Sequence, residues 1–492
     1  MVDTAPQTSR RPGFMLALLA FAQFIVAVDY NIVYVALPDI GDALGFTTQS
    51  LQWVVSAYAV AFGGLLLFGG RAVDRVGARK MLILGLAIFG IACLVGGFAQ
   101  NPGMLITARA FQGVGAALLS PATLTLVYTS FEEGPQRNRA LATWGAAGSG
   151  GLAVGALLGG VLTQAGGWEW VLFVLVPMAL VAAVLAPIVL APDPQRAGGR
   201  GGFDVPGAVL ATAGSSLLVL GLVSGPESGW GSARVVGSLI GAVVLLALLV
   251  VVENRTEDPL VPMRMFRNRS LVTAILIILV FQSALGGAYY LFTNYLQGVN
   301  GYDALKAGLA FVPLTLISMA ASLKLTALLI GKWGPRATLF FGMVVNGAGM
   351  IVLAVAMTHG ASFWALLPGT LIWGVGGGVT FPAMFICAAS GVAPQEAGVA
   401  SALATASQQI GGAAGLAVLV AIATSGLHLA SGGAPAVSDV AHGLRTAMWI
   451  GGAAAILGGF LAFTLKKPGA PEAAPEGGLA QESIGDVGAV SH

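Results

Sequence analysis

Three charged side chains, those of Asp29, Arg109 and Lys324, lie inside apolar stretches that are long enough to cross a lipid bilayer, and the acid among them could bind a proton or a cation. Asp29 is the one carboxylate deep within such a stretch, roughly 22 Å along a helix from Phe14 at 1.5 Å per residue. A charge there is costly, so such residues usually face a cavity and carry function. An acid that binds a proton and a cation alternately can exchange one for the other. The alternative is an acid near one interface, fixed by a hydrogen bond.

Arg109 lies early in the fourth apolar stretch. A guanidinium keeps its proton in proteins, so a buried Arg109 requires an acceptor. Gln112 comes three residues later on the same helix face and would extend a polar stripe toward a cavity. The alternative is an arginine whose head group reaches the lipid surface. The sequence leaves open whether Arg109 contacts Asp29.

A pocket for a lipophilic ligand is mostly apolar and aromatic, with a few polar groups that orient the ligand. Polar and aromatic residues within the apolar stretches could line such a pocket, and ordinary packing is the alternative for each of them. The substrate-binding candidates are Asp29, Asn31, Gln112, Trp53, Tyr289, Asn294 and Trp373, and the wider set adds Gln23, Tyr58, Gln282 and Gln408.

The sequence gives little support for a metal site or for an enzyme active site. Cys93 and Cys387 lie in apolar runs without CxxC spacing or a nearby histidine, which argues against a disulfide or a metal site. A membrane-embedded enzyme would need an HExxH motif, an intramembrane Ser/Lys or Ser/His pair, or paired carboxylates on facing spans. The sequence offers none of these, so no catalytic residue and no cofactor are expected.

The long apolar stretches themselves predict the fold class. Of the 492 residues, 57% are hydrophobic and 9% are charged, against about 25% charged residues in soluble domains. A helix that crosses the hydrocarbon core needs about 20 apolar residues. Such spans are predicted near 14–37, 51–70, 81–98, 104–127, 140–163, 170–190, 205–223, 235–252, 271–291, 307–330, 337–357, 363–389, 399–424 and 444–465. The chain is therefore expected to be an all-α membrane protein with fourteen transmembrane helices.

Basic residues indicate the orientation of these spans. Loops on the side of the N-terminus carry most of the 23 Lys and Arg residues, whereas the opposite loops carry Arg234, Lys306 and Arg445. Because cytoplasmic loops carry the excess of Lys and Arg, both termini are expected in the cytoplasm. The net charge of +2 gives no indication of nucleic-acid binding.

Two short, basic, glycine-containing loops indicate an internal repeat. One runs over 70–80 and the other over 331–336, each two spans into a block of six. The predicted domains are a six-helix bundle at 1–192, a linker with an inserted helix pair at 193–264, a second six-helix bundle at 265–467, and a disordered tail at 468–492. Parallel repeats of this kind place a substrate site between the two pseudo-symmetric bundles, near the membrane midplane.

Four motifs resemble those of the major facilitator superfamily. The loop 70–80 resembles its loop signature, and 28–40 resembles the first-helix motif of its fourteen-helix drug:proton antiporter branch. The run 109–115 resembles the fourth-helix arginine motif, and 155–160 resembles the fifth-helix antiporter motif. Ala156 replaces the proline of that last motif, which leaves symport open as an alternative to antiport.

The resemblance implies proton coupling through Asp29, with Arg109 as its partner. It also implies that the loop signature gates the cytoplasmic side, with Asp74 facing a helix N-terminus, where the helix dipole favours negative charge. The gating residues would be Gly70, Arg71, Asp74, Arg75, Gly77 and Arg79. In the fifth span Gly151, Gly155 and Gly159 recur every four residues, a pattern typical of close helix packing.

The expected function is proton-coupled efflux of hydrophobic, cationic or zwitterionic drugs or antibiotics by alternating access. The expected partners are a lipophilic small molecule, protons and the lipid bilayer, and the protein would act as a monomer in a bacterial inner membrane. The alternatives are a dedicated exporter of one natural product, lipid or metabolite, and a membrane receptor without flux.

Overall fold

The computed structural model describes residues 12–46, 48–51, 53–193, 204–256, 259–302, 304–425 and 437–465. Throughout these ranges the chain forms helices and no β-strand. The predicted tail at 468–492 lies outside the described residues. The all-helical prediction is therefore confirmed for the part of the chain that the structure describes.

Fourteen helices are numbered here. They are α1 Pro12–Leu44, α2 Trp53–Val76, α3 Ala78–Gly97, α4 Pro102–Ser130, α5 Pro135–Gly166, α6 Leu175–Val189, α7 Val205–Ser228, α8 Ala233–Glu253, α9 Arg269–Asn294, α10 Val312–Ala320, α11 Thr326–Ala356, α12 Phe363–Ala389, α13 Ala397–Thr424 and α14 Val437–Gly459. Shorter helical segments are Thr48–Leu51, Trp170–Phe173, Met263–Arg267, Tyr295–Val299, Ala304–Ala310, Ala321–Leu325, Pro394–Glu396 and Phe460–Thr464.

By length and hydropathy, 12 helices in the described residues could cross a membrane, or up to 13 if the bent helix α5 is one span. The two parts of α5, Pro135–Leu152 and Leu157–Gly166, meet at an angle of 41°. The segment Lys306–Ala356 enters this count as a single helix of 51 residues. The predicted number of fourteen spans is therefore not confirmed by the count itself.

The 51-residue segment is interrupted at Gly334, where the backbone is not helical. Gly334 has φ 76° and ψ 170°, a conformation that glycine adopts without steric cost. On either side of it, Thr326 and Gly342 both lie against α12, since Thr326 Oγ1 donates to Gly378 O (3.4 Å) and Gly342 lies against Thr380. A straight helix would hold Thr326 and Gly342 about 24 Å apart, so the segment folds back at Gly334.

Glycines bring α5 against α1 and α13 against α9. A Cβ at Gly155 would collide with the backbone of Val28 in α1, and one at Gly151 would collide with Ala27. In the second half, a Cβ at Gly415 would collide with the backbone of Ser283 in α9. Small residues permit this approach of two helix backbones. The fifth and thirteenth helices thus hold the first and ninth in the same way, which relates the two halves.

The two basic loops also correspond in detail. Gly77 and Gly334 both have positive φ, 116° and 76°, and each is followed two residues later by an arginine. Arg79 Nη2 donates to Pro187 O near the end of α6 at 2.8 Å. Arg336 Nη2 donates to Phe463 O just after α14. Each arginine therefore ties the second loop of its half to the last helix of that half.

Candidate functional site

Asp29 of α1 and Arg109 of α4 form an ion pair between the helices of the first half. Arg109 Nη1 donates to Asp29 Oδ1 at 2.7 Å, and the side chains are 0% and 2% exposed. The contact that the sequence left open is therefore present. The burial of Arg109 contradicts the alternative in which its head group reaches the lipid surface.

Gln112 completes a small network around this pair. Arg109 Nη1 also donates to Gln112 Oε1 at 3.0 Å, and Gln112 Nε2 donates to Asp29 Oδ1 at 3.3 Å. Gln112 Nε2 lies 2.8 Å from the Sγ atom of Cys93 in α3. The amide of Gln112 is thus held between the ion pair and α3, with its orientation fixed at both ends.

α2 supplies the remaining contacts of the guanidinium. Arg109 Nε donates to Val54 O at 3.0 Å, and the guanidinium carbon lies 4.6 Å from the centroid of the Tyr58 ring. An aromatic face attracts a cation. Four helices of the first half therefore converge on Arg109: α1, α2, α4 and, through Gln112, α3. Tyr58 and Cys93 were not connected to this site from sequence, because neither lies at a spacing that relates it to Asp29 or Arg109.

Two polar atoms at this site have no hydrogen-bond partner among the described residues. They are Asp29 Oδ2 and Tyr58 Oη, and both are buried. Buried polar groups in native proteins are nearly always hydrogen-bonded, so an exception calls for an explanation. A carboxylate oxygen in this position can accept a proton or a donor group of a ligand.

The position of Asp29 is set by α5 as well as by Arg109. The backbone of Val28, one residue earlier, lies against Gly155. Two residues later, Asn31 Nδ2 donates to Leu152 O of α5 at 2.9 Å. The side-chain amide of Asn31, a substrate-binding candidate, is therefore used in a hydrogen bond that holds α1 against α5.

The second half has no charged pair at the corresponding positions. Gly113 of α4 lies against the backbone of Tyr58 in α2, and Gly374 of α12 lies against the backbone of Leu314 in α10. The glycine correspondence places Trp373, which is 1% exposed, at the position of Gln112. By the same register, Thr370 occupies the position of Arg109. The backbones of Val28 and Ser283 lie against Gly155 and Gly415, and this second correspondence places Ala284 at the position of Asp29.

Trp373 belongs instead to an aromatic cluster. The Tyr289 ring lies 5.2 Å from the Trp373 ring and stacks on Phe311 at 5.4 Å, and Phe292 contacts Phe311 at 5.1 Å. The substrate-binding candidates Tyr289 and Trp373 are therefore in contact. We call Tyr289, Phe292, Phe311 and Trp373 the aromatic cluster.

Trp53 and Asn294 lie apart from both groups. The Trp53 ring faces the guanidinium of Arg234, at the start of α8, at 5.0 Å. Asn294 Nδ2 donates to Tyr290 O of its own helix at 2.9 Å. The structure brings neither residue into the Asp29 network, and sequence spacing alone could not have told them apart from Tyr289 and Trp373.

Asp74, near the end of α2, binds the N-terminus of α13. Its two carboxylate oxygens accept from Gly398 N at 2.8 Å and from Val399 N at 3.0 Å. Unpaired N–H groups and the positive end of the helix dipole favour a carboxylate there. Gly70, one turn earlier, lies directly against Gly398. We call the membrane face at which α2 and α4 end and α5 and α13 begin the Asp74 face.

Three further hydrogen bonds between the halves lie toward the Asp74 face. Tyr128 Oη donates to Phe385 O at 3.0 Å, and Thr125 and Ser401 hydroxyls lie 3.3 Å apart. Ser322 Oγ donates to Ala142 O at 2.9 Å. The two halves are thus joined at this face in the present conformation.

Residues 19–416 match the model of the Major Facilitator Superfamily. The chain is 40% identical over 412 residues to the cephamycin export protein CmcT of Amycolatopsis lactamdurans, covering 84% of this chain and 85% of that protein. It is 38% identical over 464 residues to the puromycin resistance protein pur8 of Streptomyces alboniger, covering 92% and 90%. The proton:xylose symporter XylE shares the fold, with a TM-score of 0.66 at 14% identity over 93% of this chain and 96% of that chain.

Proposed function

The chain belongs to the major facilitator superfamily, and we propose that it exports hydrophobic drugs or antibiotics, cationic or zwitterionic, in exchange for protons. Members of this superfamily are transporters, so the chain is a transporter and not an enzyme. The names of the two bacterial relatives describe export of, or resistance to, an antibiotic, which supports efflux as the direction of transport.

The buried pair of Asp29 and Arg109 is the observation that carries the proposed coupling. Arg109 occupies Oδ1 of the carboxylate, and Oδ2 has no hydrogen bond to any described residue. A proton on Oδ2 removes the negative charge that balances Arg109, and a buried charge without its partner is strongly destabilising. Protonation of Asp29 therefore favours a different arrangement of α1 and α4.

A cationic ligand and a proton compete for the same carboxylate in this proposal. A ligand that places its cation near Oδ2 requires the ionised acid, whereas the protonated acid has no charge to offer it. Each species thus excludes the other, which is the condition for exchange. The contacts of Arg109 with Val54, Gln112 and Tyr58 couple that exchange to the packing of α2 and α4.

Alternating access would open and close the two membrane faces in turn around this site. In the proposed cycle, the contacts of Asp74 with Gly398 and Val399 close the Asp74 face and must break when that face opens. The basic residues Arg75, Arg79 and Lys80 lie at this face. Because cytoplasmic loops are basic, we assign the Asp74 face to the cytoplasm, with both termini there and the protein acting as a monomer in the bacterial inner membrane.

Uptake of a fluorescent lipophilic cation into everted membrane vesicles, whose cytoplasmic face is turned to the medium, tests the proposal. The Asp29→Asn variant keeps the shape of the side chain but loses its charge and its titration, so proton-driven transport should disappear. Asp42→Asn, an exposed acid in the last turns of the same helix, is the matched control and should transport normally. Unchanged transport by Asp29→Asn would remove Asp29 from the coupling mechanism.

A dedicated exporter of a single natural product is the second candidate function. It is favoured by the names of the two relatives, each of which refers to one antibiotic. Growth of an efflux-deficient bacterial strain in the presence of many unrelated toxic compounds separates the two candidates. Protection against several chemical classes supports broad efflux, and protection against one compound supports the dedicated exporter.

A further inference from the structure

Two buried acids lie where the inserted helix α7 begins and the inserted helix α8 ends, at the Asp74 face. Asp204 directly precedes α7 and is 8% exposed, and Glu253 is the last residue of α8 and is 3% exposed. The two acids are far apart along the chain and close only because α7 and α8 pack as a hairpin.

Each carboxylate uses one oxygen and leaves the other without a partner. Gly207 N donates to Asp204 Oδ1 at 2.8 Å, and Val261 N donates to Glu253 Oε2 at 3.1 Å. Asp204 Oδ2 and Glu253 Oε1 are buried and have no hydrogen-bond partner among the residues that the structure describes. A Cβ added to Gly207 would lie within 3.0 Å of both of these oxygens. The two unpartnered oxygens therefore face the same small space.

Two carboxylates this close and this buried do not ionise together without a large cost, and such pairs hold a proton between them. We propose that Asp204 and Glu253 form a proton-binding site, in which Glu253 Oε1 carries the proton and donates it to Asp204 Oδ2. The positions of the two acids at helix ends determine which of them carries the proton. Asp204 caps the N-terminus of α7, where negative charge is favoured, and Glu253 sits at the C-terminus of α8, where it is disfavoured.

The charged groups around the pair fit one bound proton. With one proton, the pair keeps a single negative charge, and Arg71 of α2 lies close enough to act on Glu253 with its positive charge. Among the other charged side chains near this end, Asp74 binds the N-terminus of α13. Glu396, just before α13, pairs with Arg264 at 2.5 Å. Arg75 lies on the last turn of α2, next to Asp74.

A metal ion fits the site less well than a proton. The described residues contain no group of three or more His, Cys, Asp or Glu side chains that could hold a metal ion. A divalent cation would need about six oxygen ligands, and this pair offers two free oxygens. A proton needs only one donor and one acceptor, which the geometry supplies.

The site differs from the one at Asp29 in its place and in its neighbours. Arg71 follows Gly70, which lies against Gly398 of α13. Loss of the shared proton would leave two like charges between α7 and α8, next to the last turns of α2. The inserted helices would then pack less firmly against the first bundle. This inference does not depend on which compound is transported.

Infrared spectroscopy of the purified, detergent-solubilised protein detects the proton directly. In an Asp29→Asn background, which silences the central acid, the carbonyl band of a protonated carboxyl group should be present at about neutral pH. Adding Glu253→Gln should remove that band, while adding Glu132→Gln, an exposed loop acid, should leave it. An unchanged band after Glu253→Gln, or no such band before it, would overturn the proposal.

Thermal unfolding as a function of pH provides a second, independent test. The folded protein holds the shared proton more tightly than the unfolded chain does, so its stability is present at low pH and lost as the pH rises and the proton leaves. In the parent protein the midpoint of unfolding should fall as the pH rises from about 4, the pKa of a free carboxyl group, to the pH at which the folded protein releases the shared proton. The fall should be smaller in Asp204→Asn and in Glu253→Gln, whose amides can donate the missing hydrogen bond. Equal pH dependence in parent and variants would contradict a shared proton.

Discussion

Trp373 in α12 occupies the position that Gln112 occupies in α4. Each is followed by a glycine that packs on the backbone of the second helix of its half, Gly113 on α2 and Gly374 on α10. The two halves thus share the same helix packing but differ in the side chains that occupy these positions. The first half holds a buried ion pair, and the second holds the aromatic cluster.

This difference suggests a division of roles between the halves. The first half can bind a proton at Asp29, whereas the second has Ala284 at the corresponding position and offers aromatic faces around Trp373. Flat aromatic rings bind lipophilic and cationic groups by stacking and by cation–π attraction. The proposed transporter would therefore couple to protons through one half and select its ligand through the other.

Removing the positive charge from the central site should uncouple transport and destabilise the protein. Arg109→Gln leaves Asp29 ionised and buried without its partner, which costs about 3–5 kcal/mol in comparable cases. The variant should unfold at lower temperature or keep Asp29 protonated, and in both cases proton-driven efflux should be lost. Arg109→Lys keeps the charge, but a single nitrogen must replace the contacts that Arg109 makes with Val54, Gln112 and Asp29. Compared with Arg109→Gln, this variant should therefore regain stability more fully than it regains transport.

Gly155 should not tolerate a methyl group, although another glycine of α5 should. A Cβ at Gly155 meets the backbone of Val28, next to Asp29, whereas a Cβ at Gly160 has only Val35 Cγ1 nearby, at 3.9 Å. Gly155→Ala should therefore lose most of the uptake into everted vesicles at equal expression. Gly160→Ala should retain it. Equal activity of the two variants would show that the close approach of α1 and α5 is not required.

Asp74→Ala should weaken the closure of the Asp74 face. The variant removes the acceptor for Gly398 N and Val399 N, and loss of a helix cap costs about 0.5–2 kcal/mol. Cysteines at Thr125 and Ser401, whose hydroxyls lie 3.3 Å apart across the halves, can report closure through a short thiol cross-linker once Cys93 and Cys387 are replaced. Cross-linking should fall in Asp74→Ala, and an unchanged yield would exclude Asp74 from holding this face closed.

Replacing Tyr289 should change which compounds are transported and leave proton coupling in place. The ring of Tyr289 contacts Trp373 and Phe311, and an aromatic pair contributes roughly 0.5–1.5 kcal/mol beyond its buried area. Tyr289→Leu should raise the KM for aromatic cations by up to about tenfold. Dependence of the residual transport on the proton gradient should persist. A loss of that dependence would place Tyr289 in the coupling network instead.

The sequence singled out Asp29 and Arg109 because a charge inside an apolar stretch is costly and so stands out, but it left their contact open. The same reasoning could not supply the neighbours of the pair. Tyr58 and Cys93 belong to ordinary apolar helices, and only the packing of α2 and α3 against α4 brings them to Arg109 and Gln112.

Other features depended on contacts that are distant along the chain. Asp74 was expected to face a helix N-terminus, but that expectation came from the family resemblance, because the motif itself does not identify α13. Asp204 and Glu253 each resemble an isolated charge at the end of a span. Their pairing follows from the α7–α8 hairpin, which aligns one helix start with one helix end.

Competition between a proton and a ligand at Asp29 is the central claim, and proton release on ligand binding measures it most directly. Tetraphenylphosphonium is added to purified protein in weakly buffered detergent solution at about pH 6, with a pH-indicating dye as the readout. The parent protein should release protons as the cation binds, and Asp29→Asn should release none at a ligand concentration that saturates it. Equal proton release by both proteins would contradict the account.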